Sequence, residues 1–377
     1  MHPWVESHAA RLGRRAEREL EALVAVSSPS GDRHGAEEAV AVCAALLPDD
    51  AEVERIPCST EGYAPDLLAR LRGTGSRRLL LLGHLDTVVA HAAHRPMTRE
   101  GDRLVGSGTV DMKGGVALSI ALLDALAERP EAYAEVALLL VNDEEWRVGG
   151  LHHVDRFDGF DACLCFEAGQ LGPDGEEGVI VRRKAASTLK VTGHGLSSHS
   201  GSAPDRGRNA LLALAVAAQR VAEQHDPAGP DRLTAVPTIL TSGDAFNVVP
   251  ASGELFCDMR ADEIEAFDRV VAAVPEEVGG VRLEATIVRL WPGMDARETT
   301  RDALARAGEV LGRPVIGVER GGASDASHVS THVPLTIDGL GPRGGRAHNP
   351  DEFVLAESLR SRAEVALALT AVLLELG

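Results

Sequence analysis

The chain has 377 residues and a formal net charge of −19, so it is long for one core and carries the wrong sign for a nucleic-acid or anionic-membrane partner. Hydrophobic residues make up 44% and charged residues 25%, ordinary globular values that allow a large core to be buried. The five cysteines (Cys43, Cys58, Cys163, Cys165 and Cys257) are odd in number and irregular in spacing, which argues against a disulfide framework. The start, Met1-His2-Pro3-Trp4-Val5-Glu6, has neither a basic stretch nor an apolar run. A cytoplasmic protein in a reducing compartment is therefore expected.

In chain order, residues 4–26 read as an amphipathic helix, with Trp4, Val5, Leu12, Leu20, Leu23 and Val24 among Arg and Glu. Ser28-Pro29-Ser30-Gly31 ends it with turn chemistry. A second helix is predicted over 36–47 and a strand over 67–71. Residues 78–86 form a continuous apolar strand that finishes in polar groups, the pattern of a central strand buried on both faces. A glycine-rich loop leads to an apolar helix over 115–127, then buried strands over 136–141 and 162–166. This alternation predicts a three-layer α/β domain.

Residues 183–294 have a different texture. A strand over 187–191, an alanine-rich helix over 209–224, strands over 238–241 and 254–260, a helix over 262–274 and a strand over 281–288 predict an inserted α+β sandwich of ferredoxin-like order. From 295 onward a helix over 300–311, strands over 315–318 and 334–338 and a helix over 356–376 return to the first texture. The expected organisation is a discontinuous catalytic domain, 1–182 with 295–377, and an inserted domain, 183–294.

Five segments carry the chemistry. In Gly83-His84-Leu85-Asp86 two polar side chains project to one face of a strand end. A metal-binding imidazole usually gives its second N–H to a carboxylate, a role open to Asp86. In Gly106-Ser107-Gly108-Thr109-Val110-Asp111-Met112-Lys113-Gly114-Gly115 the glycines permit a tight turn around Asp111. That aspartate is either a carboxylate able to bridge two cations or a helix N-cap. Asn142-Asp143-Glu144-Glu145 puts three acids after a buried strand, costly unless cations compensate them; the alternative is a solvated acidic loop. Glu167 follows another apolar strand, and His348 follows a glycine-rich stretch. Taken jointly, His84, Asp111, Glu145, Glu167 and His348 offer a nitrogen and oxygen shell suited to zinc, with cobalt or manganese as substitutes. Acids and histidines at the ends of successive strands also stand where open α/β sheets place their sites.

With these segments the sequence resembles the aminoacylase and glutamate carboxypeptidase family of di-zinc hydrolases, which includes acetylornithine deacetylase and succinyl-diaminopimelate desuccinylase. The resemblance spans nearly the whole chain. It also takes in Ser198-His199-Ser200-Gly201, Gly207-Arg208-Asn209-Ala210 and Asn247-Val248-Val249-Pro250. It implies that His84 and Glu167 complete one zinc site and Glu145 and His348 the other. Asp111 would bridge them, with a cis peptide to Met112. Asp86 would orient His84, and Glu144 would be the catalytic base. His199, in a lid and dimerisation domain, would stabilise the oxyanion. Asn247, Gly322 and Asp325 would line or brace the substrate pocket.

Two departures stand out. Trp146-Arg147-Val148-Gly149-Gly150 occupies a stretch where the family often has small residues. Trp291 stands where glutamate-type members carry an arginine for the substrate carboxylate, leaving Arg260 or Arg289 as substitutes. The expected function is hydrolysis of the amide bond of an N-acyl amino acid or small peptide by a homodimer. The alternatives are a biosynthetic deacylase of the acetylornithine or succinyl-diaminopimelate kind, or an inactive metal- or ligand-binding relative.

Overall fold

A computed structural model describes residues 2–376. It divides into two compact units. The first takes the chain up to Arg182, then Met294–Arg320, then the chain from Ser324; the second takes Arg183–Gly293 with Gly321–Ala323. Compared with the expected boundaries, the return falls one residue earlier, and the short stretch 321–323 sits with the second unit.

The first unit is organised by a six-stranded sheet. Its order is Glu52–Ile56, Asp66–Arg72, Glu135–Val141, Arg78–His84, Ala162–Cys165 and Thr336–Ile337. The first two junctions are antiparallel; the last three are parallel. Glu135–Val141 and Arg78–His84 are apolar almost throughout because both faces of the sheet are covered. Leu79, Leu81, Val136, Leu138 and Leu140 join one core with helices Pro3–Ala25, Gly114–Ala127 and Ala356–Leu373. Leu80, Leu82, Ala137, Leu139 and Val141 join another with Phe157, Phe160 and Val329. Each fully buried leucine contributes about 1.5–3 kcal/mol.

Helix Pro3–Ala25 begins with proline at its first turn, where no donor is lost, and the His2 side chain accepts the Trp4 N–H. It buries the predicted apolar stripe, Trp4, Val5, Leu12, Leu20, Leu23 and Val24. The strand Glu52–Ile56 was not predicted, because its exposed edge position lets Glu, Arg and Glu interrupt the apolar pattern. Glu177–Arg183 was also not predicted; it pairs in a further sheet with Met294–Asp295 and Val315–Arg320. A small sheet of Gly344–Gly345, Phe353–Leu355, Arg103–Val105 and Thr98–Glu100 ties two distant loops together.

The second unit is an antiparallel sheet ordered Thr234–Ser242, Ser252–Ala261, Ala185–His194, Val281–Trp291 and Glu277–Val278. Helices Ala210–Ala222 and Ala266–Ala273 contribute Leu214, Ala217, Val221, Phe267 and Val270 to its core. The chain order is strand-helix-strand-strand-helix-strand, and the four long strands lie 2-3-1-4, the arrangement of a ferredoxin-like sandwich. Among the described residues no helix is long and apolar enough to cross a membrane.

Candidate metal centre

The strand Arg78–His84 ends with the His84 side chain buried. Its Nδ1 lies 3.0 Å from the Asp86 carbonyl oxygen and 3.3 Å from Asp86 Oδ1. Its Nε2 faces Asp111 Oδ1 at 3.2 Å and Glu167 Oε1 at 3.6 Å. Asp86 also accepts the backbone N–H groups of Glu144 and Glu145, at 3.2 and 3.1 Å. One carboxylate thus aligns the imidazole with the turn that follows the neighbouring strand.

The glycine-rich loop turns sharply at Asp111, where the peptide to Met112 is cis. Gly108 has a φ of +77°, and a Cβ on Gly115 would fall 1.8 Å from the Phe166 carbonyl oxygen. The loop therefore presses against the strand end that carries Glu167, a close approach open only to glycine. Asp111 Oδ2 faces His348 Nε2 at 3.1 Å, and that nitrogen lies 3.4 Å from Glu145 Oε1. The two oxygens of Asp111 thus address two different histidines, each accompanied by its own second carboxylate.

Glu352 was missed by sequence reasoning. Its buried carboxylate accepts the N–H groups of Val110 at 2.8 Å and Asp111 at 3.2 Å, linking the two ligand loops. The only trace in the sequence is its place four residues after His348. Burial lifts its pKa to about 7, against the opposing backbone hydrogen bonds.

The electrostatics are those of a crowded acidic site. Burial, with Glu167, Asp325 and Glu145 nearby, raises the Glu144 carboxyl well above the ordinary range, opposed by His84. Burial would lower His84, yet Asp111 and Asp86 carry it well above its usual value. Burial would raise Asp111, and His348 and His84 overcome this and lower it. His348, held by Asp111 and Glu145, rises to about 10.

The donors suit divalent cations. Potential ligand atoms of His84, Asp111 and Glu167, and of Asp111, Glu145 and His348, lie within 4.8 Å of one another in each group. Glu145 Oε1 is buried and faces His348 Nε2 at 3.4 Å without the geometry of a hydrogen bond, an arrangement a shared cation would complete. His84, Glu144 and Glu145 form a third grouping, but Asp86 holds the backbone of both glutamates, and only Glu145 also faces His348.

Residues 80–371 match the family model described as Peptidase family M20/M25/M40. The chain belongs to this peptidase family. Members of the M20/M25/M40 family are metal-dependent hydrolases, and so is this chain. It is 28% identical over 368 residues to carboxypeptidase G2 of Pseudomonas sp. (strain RS-16), covering 93% of this chain and 87% of that one. It is 31% identical over 329 residues to succinyl-diaminopimelate desuccinylase of Rhodospirillum centenum, covering 81% and 84%. Its fold matches aminopeptidase PepT of Bacillus cereus with a TM-score of 0.75 at 21% identity, over 96% of this chain and 98% of that one. It matches an M20 metallo-carboxypeptidase of Sulfolobus solfataricus with a TM-score of 0.75 at 15% identity, over 96% and 99%.

Other singled-out residues fall as follows. In the second unit His199 is exposed, with its Nδ1 accepting the N–H groups of Gly201 and Ser202. Asn247 is exposed, and its carbonyl accepts the Ser200 N–H. The Gly322 carbonyl accepts from Arg183 at 2.6 Å. The Arg260 guanidinium is engaged by Asp258 at 3.0 and 3.1 Å. In the first unit Asp325 is only 3% exposed and receives the Arg147 guanidinium on both oxygens. Its carboxylate is therefore engaged by a buried guanidinium, a bracing contact. Trp291, at the position where glutamate-type members carry an arginine, is fully buried, with the Arg289 guanidinium 4.4 Å from its ring centroid.

Proposed function

We propose that the chain is a two-metal hydrolase, using zinc with cobalt or manganese as substitutes, that cleaves the amide bond of N-acyl amino acids or small peptides in a carboxypeptidase-like reaction. The observation that carries the reading is the division of Asp111 between His84 with Glu167 and His348 with Glu145. Bound cations would polarise the scissile carbonyl and acidify the attacking water. Glu144, buried and carrying a raised pKa, takes the proton from that water and returns it to the departing amine nitrogen. Asp86 fixes the tautomer of His84 and, through two backbone N–H groups, the turn that carries the base. His199 is the candidate oxyanion donor, and Asn247, Gly322, Arg260 and Asp325 are candidates for binding or bracing the substrate.

A homodimer is proposed to form through the second unit. Its edge strand Thr234–Ser242 exposes Val236, Ile239 and Leu240, and its helix Ala210–Ala222 exposes Leu211 and Leu212. An uncovered edge of that kind invites pairing with a second copy; light scattering tests this. Five free, buried cysteines suit the cytoplasm.

A second reading, a biosynthetic deacylase, draws support from the 31% identity to a desuccinylase over four-fifths of the chain. The deciding experiment is metal analysis of the purified protein, followed by a screen of dipeptides and of N-acetyl and N-succinyl amino acids that reads released amine. Only trace divalent metal would end the two-metal reading. Release from N-succinyl diamino acids alone would select the second reading over the first. No release from any substrate by zinc-loaded protein would favour an inactive relative.

A further inference from the structure

Arg147 stands two residues beyond Glu145 and is only 1% exposed, an unusual burial for a guanidinium. Its Nη1 donates to Asp143 Oδ1 at 2.8 Å, and its Nη2 donates to Asp325 Oδ1. Asp143 is itself fully buried, and its other oxygen accepts both the backbone N–H and the hydroxyl of Thr60, at 2.8 and 2.7 Å. The Arg147 N–H closes a turn on the Asp143 carbonyl at 2.8 Å, so the side chain folds back beneath the acids that precede it.

The segment 143–145 is thus held from two sides. Asp86 takes the N–H groups of Glu144 and Glu145, while Arg147 and Thr60 take the carboxylate of Asp143. Beyond Arg147 lies Asp325, the first residue of helix Asp325–Val329. A buried fork that joins two carboxylates from different elements is a rigid spacer, and lysine, with one point charge, cannot span both in the same way.

We infer that Arg147 is a positioning residue: by clamping Asp143 to Asp325 it sets the direction of Glu144 and the placement of Glu145. The inference rests on the two-metal reading above. It acts through the loop backbone and not by contact with the reacting atoms.

The test compares wild type with Arg147→Lys, Arg147→Met, Asp325→Asn and the double variant Arg147→Met with Asp325→Asn. Zinc affinity is read by competition with a chromophoric chelator, kcat and KM on a cleaved substrate at saturating zinc, and the thermal midpoint separately. Arg147→Lys is expected to lose about 10- to 100-fold in kcat or zinc affinity, with KM within about threefold. The double variant should lose no more than Arg147→Met alone, because both break one clamp. Arg147→Lys with a lower midpoint but wild-type kcat and zinc affinity overturns the inference and leaves Arg147 a structural filler. Should the Arg147 variants not fold, Thr60→Val, which removes the hydroxyl hold on Asp143, is read in the same way, and unchanged kcat and zinc affinity there also overturn it. Wild-type protein that takes up no zinc defeats the parent reading, an outcome visible before any variant is made.

Discussion

The strand Glu135–Val141 begins at one buried acidic site and ends at another, and the two are built on opposite principles. At its start, Glu135 is 5% exposed and meets Arg78 at 2.8 Å, Arg72 at 3.0 Å and Arg70 at 3.3 Å. The chain itself supplies the cations, and the carboxylate is compensated where it lies. At its end, Glu144 and Glu145 join Asp111 and Glu167 around two imidazoles. There the carboxylates crowd one another, and Glu144 is raised well above its usual range by burial and then by its acidic neighbours. One end of the strand is electrostatically finished; the other, on the proposed two-metal reading, is finished by divalent cations.

The largest effect should come from removing those cations. Dialysis against a strong chelator should abolish hydrolysis, and stoichiometric zinc or cobalt should restore it, measured as released amine. The Glu135 cluster depends on no metal, so the sheet should survive, with far-UV circular dichroism unchanged. Loss of secondary structure on chelation would mean that the two ends are not independent.

Next in size is Glu144→Gln, expected to lower kcat by about 10²- to 10⁴-fold while zinc content stays at the wild-type value. Its effect on stability should have the opposite sign. A carboxylate whose folded pKa is raised opposes folding at pH values above its ordinary pKa, here 4.5. The amide removes that cost, so metal-free Glu144→Gln should melt higher than metal-free wild type at pH 7. A lower midpoint would show that the site is already compensated by the chain.

The contrast also separates what the sequence makes legible from what it hides. Polar residues that end an apolar run, such as His84, Glu144 and Glu167, can be read directly, because a buried strand must deliver its last side chains to one edge. The compensating charges cannot be read this way. Arg70, Arg72 and Arg78 reach Glu135 only through strand pairing, and Arg147 reaches Asp325 across 178 positions. Glu352 was hidden for a similar reason: its partners are backbone N–H groups of a loop 242 residues away. The small sheet that joins those loops has strands of two or three residues, too short for any periodicity.

A smaller effect concerns pH. His348 must lose its proton to bind a metal, and Asp111 and Glu145 hold that proton up to about 10. Zinc affinity should therefore climb with pH between 7 and 9, by up to about tenfold per unit for one released proton. The same pairing stabilises the metal-free fold below the ordinary value of 6.5 and fades as pH rises toward about 10. Chelator competition across this range reads the slope; a flat affinity would mean that His348 is not a ligand.

The smallest effect on catalysis should come from Glu135→Gln, which tests the finished end of the strand. The amide keeps the shape of the side chain but leaves three arginines without their shared anion. Complete burial of unpaired charge costs about 3–5 kcal/mol, but these guanidiniums are 18–55% exposed and water takes up part of the loss. A destabilisation of about 1–3 kcal/mol in urea unfolding is expected, with kcat, KM and zinc affinity unchanged at 25 °C. The site lies at the far end of a seven-residue strand, about 20 Å away by strand geometry, beyond the Debye length at physiological salt. If Glu135→Gln altered zinc affinity by tenfold or more, the charges at the two ends would be coupled through the sheet. The acid surplus at the metal centre would then be a property of the whole strand and not of its carboxyl end.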